Sequence, residues 1–127
     1  MIVKAILIIV YSLLNIMLAH RDAVKIYNNQ RIKHGLNALF YVLMLVPVFA
    51  VLQDWLIIIG LLAVRRIVFD TALNLFRGLR CDYVSSTTTS ILDKMSYKFQ
   101  SKYGYIPYYL IFLIIVLLSI ILPYGKI

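Results

Sequence analysis

The chain has 127 residues, 63% of them hydrophobic and 14% charged, with a formal net charge of +8. Soluble domains carry roughly a quarter charged residues, and a chain this short cannot hide so much apolar surface inside itself. Composition therefore excludes a soluble globular domain and predicts a single integral membrane domain, residues 1–127. There is no glutamate, and the acids are Asp22, Asp54, Asp70, Asp82 and Asp93. The basic excess is read as Lys and Arg beside membrane spans, facing anionic lipid headgroups, rather than as a nucleic-acid surface.

The first apolar run, residues 2–19, is long enough for a span of about 17 to 25 residues. A cleaved leader is the rival reading, but Met17-Leu18-Ala19 puts a large residue where a small one is needed, so a retained helix is expected. Ser12, Asn15, Ala19, Asp22 and Ile26 recur at helical spacing and give this helix a partly polar stripe. The polar stretch from His20 to Gly35 has a net charge of +3 and no proline. The helix is therefore expected to continue to Asn28 or Asn29, which are good stop residues.

Residues 36–52 form the second expected span, with Asn37 and Tyr41 near its start and a kink expected near Val46, before Pro47. Gln53-Asp54 is a tight connection, and Trp55 suits a membrane–water interface. A third span is expected over 55–76, ending near Gly78. Its uncharged part, Trp55 to Val64, is too short to cross, so Arg65 and Arg66 lie within the membrane or at its polar edge, where snorkelling operates. The run SSTTTS within 81–90 reads as a loop. Ser90 with Asp93 resembles a capping box and opens a short amphipathic helix over 91–103, with Ile91, Leu92, Met95 and Phe99 on one face and Asp93, Lys94, Lys98, Gln100 and Lys102 on the other. That helix either lies in the interface or packs on the polar ends of the other helices. The last span is expected over 105–123, flanked by Tyr103, Tyr105, Tyr108 and Tyr109 at one end and Tyr124 at the other. The fold class is thus all-α: a bundle of four transmembrane helices with a short amphipathic helix before the last span.

The connection from Phe76 to Ile106 is again +3. Positive-inside counting places both long connections in the cytoplasm and both termini outside; Lys4 and Lys126 count against this by one charge each. Cys81 is the sole cysteine, which excludes an internal disulfide and a cysteine metal site. It lies beside a membrane boundary, a position compatible with palmitoylation, although an unmodified thiol is expected.

The third helix organises the rest. At 100° per residue, Arg66, Asp70, Asn74, Arg77 and Arg80 fall in one stripe, opposite Leu62, Ile67, Val68, Ala72 and Leu75. A charge near the bilayer centre costs several kcal/mol, so this stripe should be covered by neighbouring helices, with the polar stripe of the first helix as its partner. The polar cluster expected at the cytoplasmic ends is Asn15, His20, Asp22, His34, Asn37, Arg66, Asp70, Asn74 and Arg77.

Two chemistries suit parts of that cluster. A metal would draw on His20, Asp22, His34 and Asp70. However, His20 and Asp22 lie about 200° apart around a helix, and no metal or other cofactor is expected. Arg66, Arg77 and Arg80 could hold a phosphate or lipid headgroup through guanidinium forks; the alternative is a structural Arg66–Asp70 pair. No nucleophile elbow, zinc-protease motif or glycine-rich phosphate loop is present.

The segment RRIVFDTALNLFRGLRCDY, followed by TSILDK at residues 89–94, resembles small four-helix membrane proteins encoded by phages and prophages. The resemblance implies that origin and no catalytic residues. Two functions remain open. One is a non-enzymatic membrane protein acting by self-association or by binding another membrane protein. The other is a membrane-embedded enzyme or lipid-binding protein whose cytoplasmic pocket uses Asp22, His34, Asp70 and the arginines on a phosphate-bearing substrate.

Overall fold

A computed structural model describes residues 2–80 and 91–122, the side chains of His34 and Leu92 excepted. The SSTTTS loop, Cys81, the Ser90 half of the capping box, Tyr124 and Lys126 lie outside the described residues. Among those described, the regular structure consists of helices: α1 (Ile2–Tyr27), α2 (His34–Leu52), α3 (Trp55–Val64), a π-helical turn (Arg65–Phe69), α4 (Asp70–Phe76), α5 (Ile91–Tyr103) and α6 (Tyr105–Ile121). Two of these, Ile2–Tyr27 and Gly35–Leu52, are long and apolar enough to cross a membrane, and Tyr105–Ile121 is a shorter apolar helix.

Each boundary has a local cause. Nothing in α1 breaks a helix until Asn29, which turns left-handed at φ 57°. There Asn29 N–H donates to the Ile26 carbonyl at 3.0 Å and Gln30 N–H to the Lys25 carbonyl at 2.8 Å, the double bond of a Schellman stop. α2 continues through Pro47 as one helix and ends at Gln53, also left-handed, at φ 50°. The next residue starts α3: Asp54 Oδ1 accepts the Leu56 N–H at 2.9 Å, so one carboxylate caps the new helix. Gly78, at φ 71°, closes α4 with a second Schellman pair, Gly78 N–H to Leu75 and Leu79 N–H to Asn74. Gly104, at φ 86°, separates α5 from α6.

The expected third helix is therefore one rod in three pieces, α3, the π turn and α4. A π turn carries an extra residue per turn and is uncommon. It breaks the uniform 100° spacing that the sequence stripe assumes.

Side-chain pairs fix how the rods run. Lys4 meets Asp54, Asn15 meets Arg65 and His20 meets Phe76, so α1 and the α3–π–α4 rod lie parallel. Tyr11 meets Met44, Asn15 meets Tyr41 and Asp22 meets Asn37, so α2 runs antiparallel to α1. α6 returns along the rod: Tyr108 meets Arg66, while Leu122 reaches Lys4 at the far end.

The core between α1, α2 and α3 is Tyr11, Tyr41, Leu45, Val48, Ile57 and Leu61. A smaller cluster of Ala63, Val64 and Val116 joins α3 to α6. α3 and α6 approach closely at Gly60, where a Cβ would overlap both Cβ and Oγ of Ser119. Small residues at such crossings let helix backbones approach.

Candidate functional site

The polar residues that the sequence groups as one cluster are divided by the structure among separate sites. The first surrounds Arg65. Its Nη1 donates to Asn15 Oδ1 at 3.2 Å, and its guanidinium lies 3.6 Å from the Phe69 ring centroid and 5.2 Å from that of Tyr41. Asn15, wholly buried, also donates to the Tyr11 carbonyl at 2.7 Å and to Tyr41 Oη at 3.3 Å. Tyr41 Oη in turn donates to the Leu61 carbonyl at 2.8 Å. This chain of bonds crosses α1, α2 and α3. Amide and hydroxyl groups that satisfy one another in this way join packed helices.

The second site is at the far end of α1. Buried Asp22 accepts from Asn37 Nδ2 at 3.2 Å and lies 3.4 Å from Arg21 Nη2, which also reaches Asn37 Oδ1. These residues tie the end of α1 to the start of α2.

The third site is centred on Arg66, and all three of its guanidinium nitrogens are engaged. Nε donates to Tyr108 Oη at 2.9 Å, and Nη2 donates to Ser96 Oγ. Nη1 lies 3.0 Å from Asp70 Oδ2 and 2.9 Å from Asp93 Oδ1. Ser96 Oγ and Tyr108 Oη share a further bond at 2.9 Å. One arginine thus gathers the rod, α5 and α6. Next to it, Thr71 Oγ1 bonds Tyr109 Oη at 2.9 Å. The planar guanidinium fork suits this role because it can face carboxylates and hydroxyls at once.

The remaining candidates lie towards the ends of α1 and α4 and at the start of α2. His20 is exposed and meets Phe76 edge-on, with centroids 5.2 Å apart. Asn74 is buried. Arg77 and Arg80 are exposed and leave the expected stripe, because the helix ends at Phe76 and Gly78 reverses the backbone before the 100° spacing can carry on. His34 lies in the first turn of α2, with its side chain outside the described residues. Among the described residues, no three of His, Cys, Asp and Glu gather as metal ligands. Asp22 and Asp70, two of the four residues weighed for a metal, have different partners. Of the three arginines weighed for an anion, Arg66 is already paired with two carboxylates.

Sequence reasoning missed the site at the opposite end. Lys4 Nζ lies 2.7 Å from Asp54 Oδ2, with side chains 4% and 0% exposed, and also donates to the Leu122 carbonyl at 3.0 Å. It therefore joins the start of α1, the α2–α3 turn and the end of α6, where the helix dipole favours a cation. Burial alone would push the Asp54 carboxyl up. The Lys4 ammonium and the N–H groups of Leu56 and Ile57 outweigh burial and hold it below its ordinary value. Arg65, Tyr41, Asp93, Ser96 and Tyr108 were likewise absent from the expected cluster. Comparison of the chain with protein-family models, curated proteins and solved structures finds no match.

Proposed function

We propose that the chain is a multi-pass membrane protein with four spans, both termini outside and the basic connections in the cytoplasm, and that it acts by association with copies of itself or with another membrane protein. The observation that carries this reading is the direction of its side chains. The guanidinium groups of Arg65 and Arg66 find their partners within the chain, while Ile9, Leu13, Leu43, Val46, Ile114 and Leu117 point outward. Lipid tolerates the outward set, and internal pairing removes the cost of the inward one. The α3–π–α4 rod is 22 residues long, about 33 Å at helical rise and so close to the hydrocarbon thickness. α6, with 17 residues, is at the lower limit of a span. A phage-encoded lysis or membrane-remodelling protein is the specific form that the sequence resemblance suggests.

One observation favours the second reading, a lipid-binding or enzymatic pocket for a phosphate-bearing substrate. The π turn lies among the polar sites, and π turns recur at functional positions. Substitution separates the two readings. Association predicts that Asp70→Asn and His34→Gln leave activity largely intact, while Ile114→Trp or Leu117→Trp on α6 abolishes complex formation. A pocket predicts the reverse. Native mass spectrometry from nanodiscs reads both, as stoichiometry and as co-purifying phospholipid or metal. A monomer that loses bound phospholipid on Asp70→Asn contradicts the association reading.

A further inference from the structure

We propose that the outward side of α5 is a docking surface for anionic phospholipid, at the level where α6 enters the membrane. This rests on the membrane reading above. The sequence marks Ile91, Leu92, Met95 and Phe99 as one apolar face, but the structure divides that face. Asp93 and Ser96 turn inward to Arg66, and Phe99 lies against Tyr108, with centroids 6.0 Å apart. Ile91 and Met95 are left 75% and 62% exposed.

At 100° per residue, Ile91, Met95, Lys98 and Lys102 share an arc of about 60°, with Lys94 about 40° beyond it. All three lysines are exposed, and none forms an ion pair among the described residues. Lys102 Nζ lies 5.1 Å from the Tyr103 ring centroid, which places a cation and an interfacial aromatic side by side. α5 connects through Gly104 alone to the first turns of α6, where Tyr105, Tyr108 and Tyr109 pack against one another, tilted or edge-on. Tyrosines of this kind prefer headgroup depth.

The surface therefore has two parts, aliphatic groups for the upper acyl chain and ammonium groups for phosphate, which is the pattern of a helix lying on an anionic bilayer. A second copy of the chain complements it less well. Of the five aspartates, Asp22, Asp54, Asp70 and Asp93 are already paired with cations of their own chain.

The test uses the full chain with Cys81→Ser and Met95→Cys carrying a bimane label. It is reconstituted in phosphatidylcholine vesicles with and without phosphatidylglycerol, with brominated acyl chains as quencher. The expected result is strong acyl-chain quenching in the anionic vesicles. Each Lys94, Lys98 or Lys102 replaced by Gln should lower the ratio of embedded to water-exposed label about fivefold, the equivalent of about 1 kcal/mol per basic residue near an anionic surface. Replacement by Arg should preserve the quenching. Equal quenching in phosphatidylcholine alone overturns the anionic preference. A label that stays open to aqueous iodide in both vesicles, or an unlabelled Cys81→Ser, Met95→Cys chain that forms a disulfide-linked dimer on mild oxidation, overturns the surface itself. A second label at Leu43→Cys, on the exposed side of α2 and away from the α6 association surface, separates the failures. If Leu43 is quenched and Met95 is not, only this inference falls; if neither is quenched, the membrane reading falls with it.

Discussion

The two charged ends of the bundle solve one problem in different ways. At the Lys4 end, an ammonium and a carboxylate are sealed together and joined to the Leu122 carbonyl. Around Arg66, one guanidinium serves two carboxylates and two hydroxyls, and Asp70 and Asp93 keep about a third of their surface open. A sealed pair depends wholly on its partner, because water cannot replace it. A partly open network can borrow water and tolerate change. The Lys4 end therefore reads as a structural lock, and the Arg66 region as the adaptable end, where α5 meets the rest.

The comparison is most exposed to substitution at the lock. Lys4→Met or Asp54→Asn should each destabilise the protein by about 3 to 5 kcal/mol, the usual cost of leaving one buried ion unpaired. The paired change to two apolar residues should recover most of that loss except the helix cap, about 1 kcal/mol. Thermal unfolding in detergent measures this; single variants that unfold like the parent would break the contrast. Arg66→Leu should cost less, about 2 to 4 kcal/mol, a figure reduced from the buried-pair range because its carboxylates are partly solvated. It should also release α5, seen as faster amide exchange over Ile91–Tyr103.

Between the two ends, Gly60→Leu should cost about 1 to 3 kcal/mol by forcing α3 from Ser119, with a matching rise in proteolysis of α6. Tyr41→Phe should lose about 1 kcal/mol, since its hydroxyl serves both the Leu61 carbonyl and Asn15. The smallest effect is acid sensitivity. The carboxyl of Asp54 is held below its unfolded value, so its contribution is complete above about pH 4 and fades as pH falls through the lower folded value. Melting temperatures of the parent should decline below that pH more steeply than those of Asp54→Asn.

Much of this arrangement is legible in the sequence. The stop of α1 at Asn29, the stop of α4 at Gly78 and the extent of α5 all follow from local signals, a left-handed turn residue or a change of periodicity. So does the inward polar stripe of α1, where Asn15, Ala19 and Asp22 are buried. The π turn is not legible, because periodicity analysis assumes a fixed angle per residue. Arg65, outside the stripe drawn at that angle, is the partner of Asn15, and Arg77 and Arg80 leave the stripe because the helix ends at Phe76 and Gly78 reverses the backbone. The Lys4–Asp54 pair joins residues fifty apart in sequence, and no local pattern marks it. Its only trace is that two otherwise isolated charges share one end of the predicted topology, each expensive there without the other.

The most direct test is spin-label accessibility along the rod and α2, with single cysteines at Leu62, Ala63 and Leu43 in a Cys81→Ser background in bilayers. The account predicts that Leu62 and Leu43, both exposed, are reached by dissolved oxygen and not by an aqueous nickel complex, and that buried Ala63 is reached by neither. A label at Ala63 open to lipid, or one at Leu62 open to water, would contradict it.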